Sequence, residues 1–284
     1  MSPMLSVVVP AYNESARLGK NLPLIFKFLS HHNIDSEVIV VDDGSTDETA
    51  IIAEQAFSCS GNVKTSLIRN GVNKGKGYAV RVGLLASSSD VAIFSDADLS
   101  TPIEELFKLI EALDRGVDIA FGSRAIDRSL IRVHQPWRRE QGGKIFNMIV
   151  RMATGLPFKD TQCGFKAFRM KTCRPIVEGA TIDRFGFDVE LLYLAHISGL
   201  KLQEVAVRWE HNDGSKIDFM RDSLRMLGEV RRIRQQKLNG RYEGVMRTVN
   251  ENPASPRPRI EETNAVAEHL FRLPGNIQHK ADET

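Results

Sequence analysis

Three short stretches rich in Val, Ile and Leu, residues 5–10, 37–41 and 91–94, each run straight into a polar cluster and then into a segment of helical spacing. Near-continuous β-branched runs of this length fit strands covered on both faces, as in a parallel sheet. Leu18, Leu22, Ile25, Phe26 and Leu29 follow the first strand at helical spacing, and a helix over 47–57 follows the second. Residues 63–68 read as another strand. Asn73-Lys74-Gly75-Lys76-Gly77 opens a helix running through Ala86. Beyond 91–94, Ile103, Leu106, Phe107, Ile110 and Leu113 share one helix face, and 118–124 reads as a strand that delivers Arg124. Strand, loop and helix alternate three times in the first hundred residues, which predicts a doubly wound α/β sheet. Ligands of such sheets bind beyond the carboxyl ends of the strands. Tyr12 and Glu14, Asp42 and Asp43, Asp96 and Asp98 are all expected at those ends.

Asp96 and Asp98 are spaced i and i+2, so on an extended strand they face one side together. Two neighbouring carboxylates repel unless a cation sits between them, and Mg²⁺ is typically held by one or two carboxylates plus substrate phosphates. The simpler alternative is a strand end whose aspartates cap the next turn. The glycines exclude two phosphate motifs. Gly71 and Gly75 have three residues between them where a P-loop needs four, and Val80 stands where a dinucleotide fingerprint needs glycine. What remains is a glycine-rich helix start bearing lysines, able to approach an anion through backbone N–H groups, or else a flexible turn.

Net charge is +2, but it is unevenly spread. Residues 124–151 hold seven basic and two acidic residues, and 216–247 hold nine and four, so each island carries +5 and the rest of the chain −8. Basic islands on an acidic background suggest a polyanionic or membrane-surface partner. They lack the interleaved aromatics of a single-strand nucleic-acid binder, so no nucleic-acid partner is expected. Cys59, Cys163 and Cys173 have no metal-type spacing, and an odd number suggests a reducing cytoplasm. No signal peptide is visible, and no apolar run approaches the roughly 18 residues of a membrane span.

Val-Val-Pro-Ala-Tyr-Asn-Glu (8–14), Val-Val-Asp-Asp-Gly-Ser-Thr-Asp (40–47) and Asp-Ala-Asp (96–98) together resemble glycosyltransferase family 2, the inverting enzymes of GT-A fold that use nucleotide sugars. Gly122-Ser123-Arg124, residues 160–166, residues 187–192 and Gly214-Ser215-Lys216 resemble its dolichyl-phosphate glucosyltransferase branch. Dolichyl-phosphate mannose synthases are less similar around 160–166. The resemblance spans roughly residues 4–240 and implies a Rossmann-like mixed sheet in a catalytic domain over 1–215.

It further implies that Pro10, Tyr12, Glu14, Val41 and Asp43 frame the nucleoside, with Tyr12 stacked on the base. Asp96, Ala97 and Asp98 would hold the donor diphosphate and Mg²⁺ or Mn²⁺, the metal on Asp96 and Asp98. Arg124, Lys76 and Lys216 would contact phosphates, and Arg139 the acceptor phosphate. The resemblance points to UDP-glucose as donor and a polyprenyl or dolichyl phosphate as acceptor. The alternatives are GDP-mannose or another nucleotide sugar, a hydroxyl acceptor, or a non-catalytic nucleotide-sugar binder. A hydroxyl acceptor would require a base, for which Asp188 and Glu190 are the candidates. A phosphate monoester would not, because its second pKa of about 6 leaves it largely ionised near neutral pH. Cys163 is expected to be a small buried residue rather than a nucleophile.

Two segments are expected at the membrane surface. Residues 137–156 mix Arg138, Arg139, Lys144 and Arg151 with Ile145, Phe146, Met148, Ile149, Val150 and Met152, a candidate interfacial helix. The segment 216–247 reads as a basic amphipathic extension, and 248–284 as a flexible tail with Pro-rich residues 252–258 and one short helix over 263–273. Such helices would hold the protein peripherally on the cytoplasmic face without a transmembrane span, unlike eukaryotic relatives anchored at the N-terminus.

Overall fold

The computed structural model describes residues 4–133, 137–210 and 219–251, with the backbone alone for 137–140 and 219–224. The expected alternation is present: β1 (Leu5–Ala11), α1 (Ser15–His31), β2 (Ser36–Asp42), α2 (Thr49–Phe57), β3 (Lys64–Arg69), α3 (Lys76–Ala86) and β4 (Val91–Ser95). A 3-10 turn, Ile103–Glu105, leads into α4 (Leu106–Asp114) and then β5 (Ile119–Ser123). Side chains alternate across the sheet, and both faces are covered. Val7, Val9, Val38 and Val40 pack toward α1, α2 and α4, while Val8, Ile39, Val41 and Phe94 pack toward α3.

The second half departs from simple alternation. After β6 (Ile131–Val133) and α5 (Trp137–Thr154) comes β7 (Phe165–Arg169), followed by α6 (Met170–Gly179), α7 (Phe187–Ile197), β8 (Leu202–Ala206) and β9 (Trp209–Glu210). The seven-stranded sheet runs β3-β2-β1-β4-β7-β5-β8. β7 lies antiparallel between β4 and β5, and the other pairings are parallel. Sequence patterning assigns no strand to 165–169, because Lys166 breaks the apolar run a doubly covered strand should show. Lys166 is nonetheless completely buried. The antiparallel insertion starts β7 where β4 and β5 end, so the turn over 160–164 lands on the site's edge.

α8 (Phe219–Leu238) and α9 (Glu243–Glu251) fold back on the domain. Val230, Ile233, Tyr242 and Val249 are buried against α5, α6 and α7. α5 is two-sided. Phe146 and Val150 enter the core, whereas Ile145, Met148, Ile149 and Met152 form an i, i+3, i+4, i+7 stripe open to solvent, with Met152 80% exposed. Lys144 and Arg151 flank that stripe and are also exposed. Among the described residues, no helix is long and apolar enough to cross a membrane. The expected features over 252–258 and 263–273 lie outside the described residues.

Candidate active site

The carboxyl ends of β1, β2, β4 and β5 meet at one rim, and each contributes polar residues as expected. The pairing of β1 with β2 sets Pro10 beside Val41 and Ala11 beside Asp42. Tyr12, just beyond β1, is 40% exposed and presents its ring at this edge. Glu14 begins α1, where Arg17 Nη1 donates to both of its carboxylate oxygens at 3.0 Å.

Asp43 holds the glycine loop. Its Oδ1 accepts from Asn70 Nδ2 (2.8 Å) and Lys74 N (3.1 Å), and its Oδ2 from Gly75 N (2.7 Å). A carboxylate has about four acceptor sites, so capacity for one further N–H remains. These bonds give two of the loop's backbone N–H groups, those of Lys74 and Gly75, to the chain's own Asp43 rather than to an external anion. Further along, Tyr78 N is also used, on the Asp183 carbonyl at 3.0 Å. Gly75 is required here: its φ is +114°, and a Cβ would overlap the Asp183 carbonyl.

Asp96 and Asp98 come together differently from the strand argument. β4 ends at Ser95, and the backbone turns at once, with Leu99 N donating to the Asp96 carbonyl (3.1 Å). Leu99 has φ +48°, an uncommon conformation for a non-glycine residue. Ser100 N donates to Asp98 Oδ1 (2.9 Å), the turn-capping role of the simpler alternative, while Asn21 Nδ2 fixes the Ala97 carbonyl (2.7 Å). It is therefore a turn, not the pleat, that sets the two carboxylates, and both act on the charge of Lys76. Lys76 Nζ lies 2.6 Å from Asp96 Oδ1. Burial works against the lysine's charge, and Asp96, Asp188 and Asp98 outweigh it, holding the ammonium protonated.

A divalent ion fits this arrangement. Asp96 Oδ1 is buried and makes no hydrogen bond of good geometry. Gly164 lies so close beneath the Asp96 carboxylate that a Cβ there would fall 2.5 Å from Oδ1 and nearer still to Cγ and Oδ2. Among the described residues no group of three or more His, Cys, Asp or Glu could hold an ion unaided. Two carboxylates with open positions for phosphate oxygens is the donor set that Mg²⁺ ordinarily uses.

Arg124 arrives at the rim as expected, with a partner the sequence reading did not assign. Its Nε and Nη2 donate to Asp160 Oδ2 (2.6 Å) and Oδ1 (2.8 Å), its backbone N to Oδ2 (3.1 Å), and its guanidinium lies 5.6 Å from the Trp209 ring centre. Glu204 on β8 accepts from the Asp160 backbone N (2.7 Å) and the Ser123 hydroxyl (2.7 Å), fixing this turn to the sheet. Burial raises the Asp160 carboxyl, but Arg124 outweighs it and holds the group down at about 2. Because the folded pKa is depressed below the unfolded one, this stability is present above about pH 4 and disappears as pH falls through about 2. Asp160→Asn should therefore cost about 2 kcal/mol in urea unfolding near neutral pH. The deficit should shrink steadily below about pH 4.

Cys163 is buried as expected. It is 1% exposed, packs beside Thr101 Oγ1 (3.6 Å), and burial pushes its thiol up to about 11. Asp188 and Glu190, on the first turn of α7, have separate partners. Glu190 accepts from Thr181 N (2.8 Å), Ile182 N (2.7 Å) and the Tyr242 hydroxyl (2.7 Å), which ties the loop ahead of α7 to the segment joining α8 and α9. Asp188 Oδ1 accepts from Lys166 Nζ (2.6 Å), which also donates to the Cys163 carbonyl (2.6 Å). Arg139 lies on α5 with its side chain outside the description, and Lys216 lies outside the described residues.

The chain as a whole is similar to known proteins. The glycosyl transferase family 2 model matches residues 6–176. The dolichyl-phosphate β-glucosyltransferase of Dictyostelium discoideum is 36% identical over 247 residues, 83% of this chain and 75% of that protein. The Drosophila melanogaster enzyme of the same name is 39% identical, over 75% of this chain and 69% of its own. Mycobacterium tuberculosis glucosyl-3-phosphoglycerate synthase, crystallised with Mn²⁺, UDP-glucose and phosphoglyceric acid, shares the fold at TM-score 0.56 and 20% identity, over 80% of this chain and 79% of that one. Mannosyl-3-phosphoglycerate synthase from Rubrobacter xylanophilus does so at TM-score 0.58 and 18% identity, over 84% and 75%. With this sheet, this rim and these relatives, the chain is a GT-A-fold glycosyltransferase belonging to family 2, within the dolichyl-phosphate β-glucosyltransferase group.

Proposed function

We propose that the protein transfers glucose from UDP-glucose to a polyprenyl or dolichyl phosphate with inversion at C1, using Mg²⁺ or Mn²⁺ held by Asp96 and Asp98. The observation that carries this reading is the Asp96 carboxylate, seated on Gly164, whose buried Oδ1 makes no hydrogen bond of good geometry and lies against the Lys76 ammonium. The rim supports a uridine nucleotide donor as well. Tyr12 offers a ring for the uracil, Pro10, Val41 and Glu14 border it, and Asp43 retains room for one uracil N–H.

The chemistry is a displacement. A phosphate oxygen of the lipid forms the new bond to C1 as the bond from C1 to the donor's diphosphate breaks, and UDP departs with the electron pair. When bound, the metal supplies Lewis-acid stabilisation of that departing charge. Lys76 and Arg124 add fixed positive charge at the same rim, and Asp160 keeps the Arg124 fork from swinging away. A lipid phosphate near neutral pH is already an anion, so no base is needed. This agrees with Glu190 being fully engaged and Asp188 being bonded to an ammonium. Arg139 and Lys216 belong to the reading as acceptor-side and donor-side cations.

The exposed apolar stripe of α5, flanked by Lys144 and Arg151, supports a peripheral seat at a membrane surface, which this reading places on the cytoplasmic face. The test is transfer of labelled glucose from UDP-glucose into the organic phase with polyprenyl phosphate and Mg²⁺ or Mn²⁺. GDP-mannose and a soluble hydroxyl acceptor serve as parallel arms. Label in the lipid from UDP-glucose alone is the expected result. Label that stays aqueous in every arm would refute the reading.

A further inference from the structure

Lys76 occupies a contact that a divalent ion would also need. Its ammonium lies 2.6 Å from Asp96 Oδ1, and Gly164 lies directly against that carboxylate on another side. Lys166 tightens the arrangement from beneath by bonding the Cys163 carbonyl, one residue before that glycine. Two cations cannot both stand at contact distance from one oxygen without strong mutual repulsion. The ammonium has another place to go. Asp188 also acts on its charge and is buried, with Lys166 on its Oδ1. A donor diphosphate at the rim would be a further partner.

Resting on the proposed metal site, we infer that Lys76 is a built-in placeholder for the metal, neutralising Asp96 until ion and nucleotide arrive together. Lys76 then leaves Asp96 for the donor diphosphate and Asp188. An ion arriving alone must displace an ammonium that has no phosphate to receive it, so it binds weakly. An ion arriving with the nucleotide meets no such opposition. Lys76 therefore couples the two ligands: each binds more tightly in the other's presence, and the coupling is reciprocal. The device also disfavours a metal-loaded site without donor.

The experiment measures Mn²⁺ binding by the electron paramagnetic resonance of free Mn²⁺, at constant pH, with and without UDP. Without UDP, Lys76→Met should bind Mn²⁺ about tenfold or more tightly than the wild type, because the competing charge is gone. With UDP that gain should vanish, so the Mn²⁺–UDP coupling falls by a similar factor. Lys74→Met, which removes a lysine stacked on Tyr78 away from Asp96, should leave both affinities unchanged. If Lys76→Met is too unstable to titrate, Lys76→Gln keeps a hydrogen-bond donor without the charge and carries the same expectation. Unchanged or weaker Mn²⁺ binding in these variants without UDP would overturn the placeholder role. Failure of the wild type to bind Mn²⁺ even with UDP is a distinct result that would overturn the metal site itself.

Discussion

Gly164→Ala should abolish glycosyl transfer while leaving the chain folded. A Cβ at position 164 would fall 2.5 Å from Asp96 Oδ1 and closer to Cγ and Oδ2, inside any real contact distance. Asp96 cannot yield cheaply. Its backbone N donates to the Gly164 carbonyl at 3.1 Å, so the two residues are tied at the backbone, and Lys76 crowds the carboxylate's other side. The remaining response is to rotate the carboxylate out of the rim. Overpacking of this kind costs about 1–3 kcal/mol of stability, which a domain of this size can survive. A misplacement of about 1 Å at reacting groups costs on the order of 100-fold in rate, and here the displaced group is the proposed metal ligand itself. We expect transfer to fall by at least about 100-fold, with Mn²⁺ binding in the presence of UDP lost as well. Circular dichroism should be unchanged and the melting temperature lowered by several degrees. A variant retaining near-normal transfer would mean that the Asp96 carboxylate is not used in the orientation Gly164 imposes.

Gly164 also illustrates which parts of the site can be read from sequence. β1, β2 and β4 are legible because both of their faces are buried, so β-branched residues run almost unbroken and the polar residues ending each run must lie at the carboxyl edge. Tyr12, Asp43, Asp96 and Arg124 are located by that logic alone. β7 is not legible, because its Lys166 is completely buried, donating to the nearby Cys163 carbonyl and to Asp188 on the distant α7. The insertion of β7 is what brings Asp160 to Arg124 and Gly164 to Asp96. The roles of those two residues therefore depend on a pairing that no local pattern announces. Asp43 is a subtler case. Its position is predictable, but its three bonds to Asn70, Lys74 and Gly75 are tertiary. They commit the Lys74 and Gly75 N–H groups of the glycine loop to the frame. The spacing of Asp96 and Asp98 suggests a shared strand face, whereas the actual geometry is a turn through the left-handed Leu99. The glutamate of the Asp188/Glu190 pair belongs to the frame as well, since helical spacing sends it to Thr181, Ile182 and Tyr242 rather than toward the rim.

Lys166→Met should be the most destabilising single change at the site, and its cost should depend on pH in a defined direction. The Lys166 side chain has no solvent exposure and that of Asp188 has 5%. Removing one member of such a pair leaves a buried uncompensated charge, at about 3–5 kcal/mol. Burial already pushes the Asp188 carboxyl above its ordinary range, against the pull of Lys166 and Lys76. A carboxyl whose folded pKa is raised contributes its stability below the unfolded value of about 3.9, and that contribution is lost as pH rises through the folded value. Without Lys166 the folded value rises further, so the loss extends to higher pH. The deficit of Lys166→Met should therefore be largest in mildly alkaline buffer and smaller toward about pH 5, where Asp188 takes up a proton. Urea unfolding at the two ends of that range measures it. Adding Asp188→Leu should recover most of the stability, since apolar replacement of a buried pair is often neutral or favourable. The double variant should not recover transfer, because Lys76 loses one of the three carboxylates that act on it and the Cys163–Gly164 backbone loses the ammonium beneath it. Recovery of both together would assign the pair to stability alone. Recovery of stability without transfer makes Lys166 and Asp188 positioning residues for the rim they underlie.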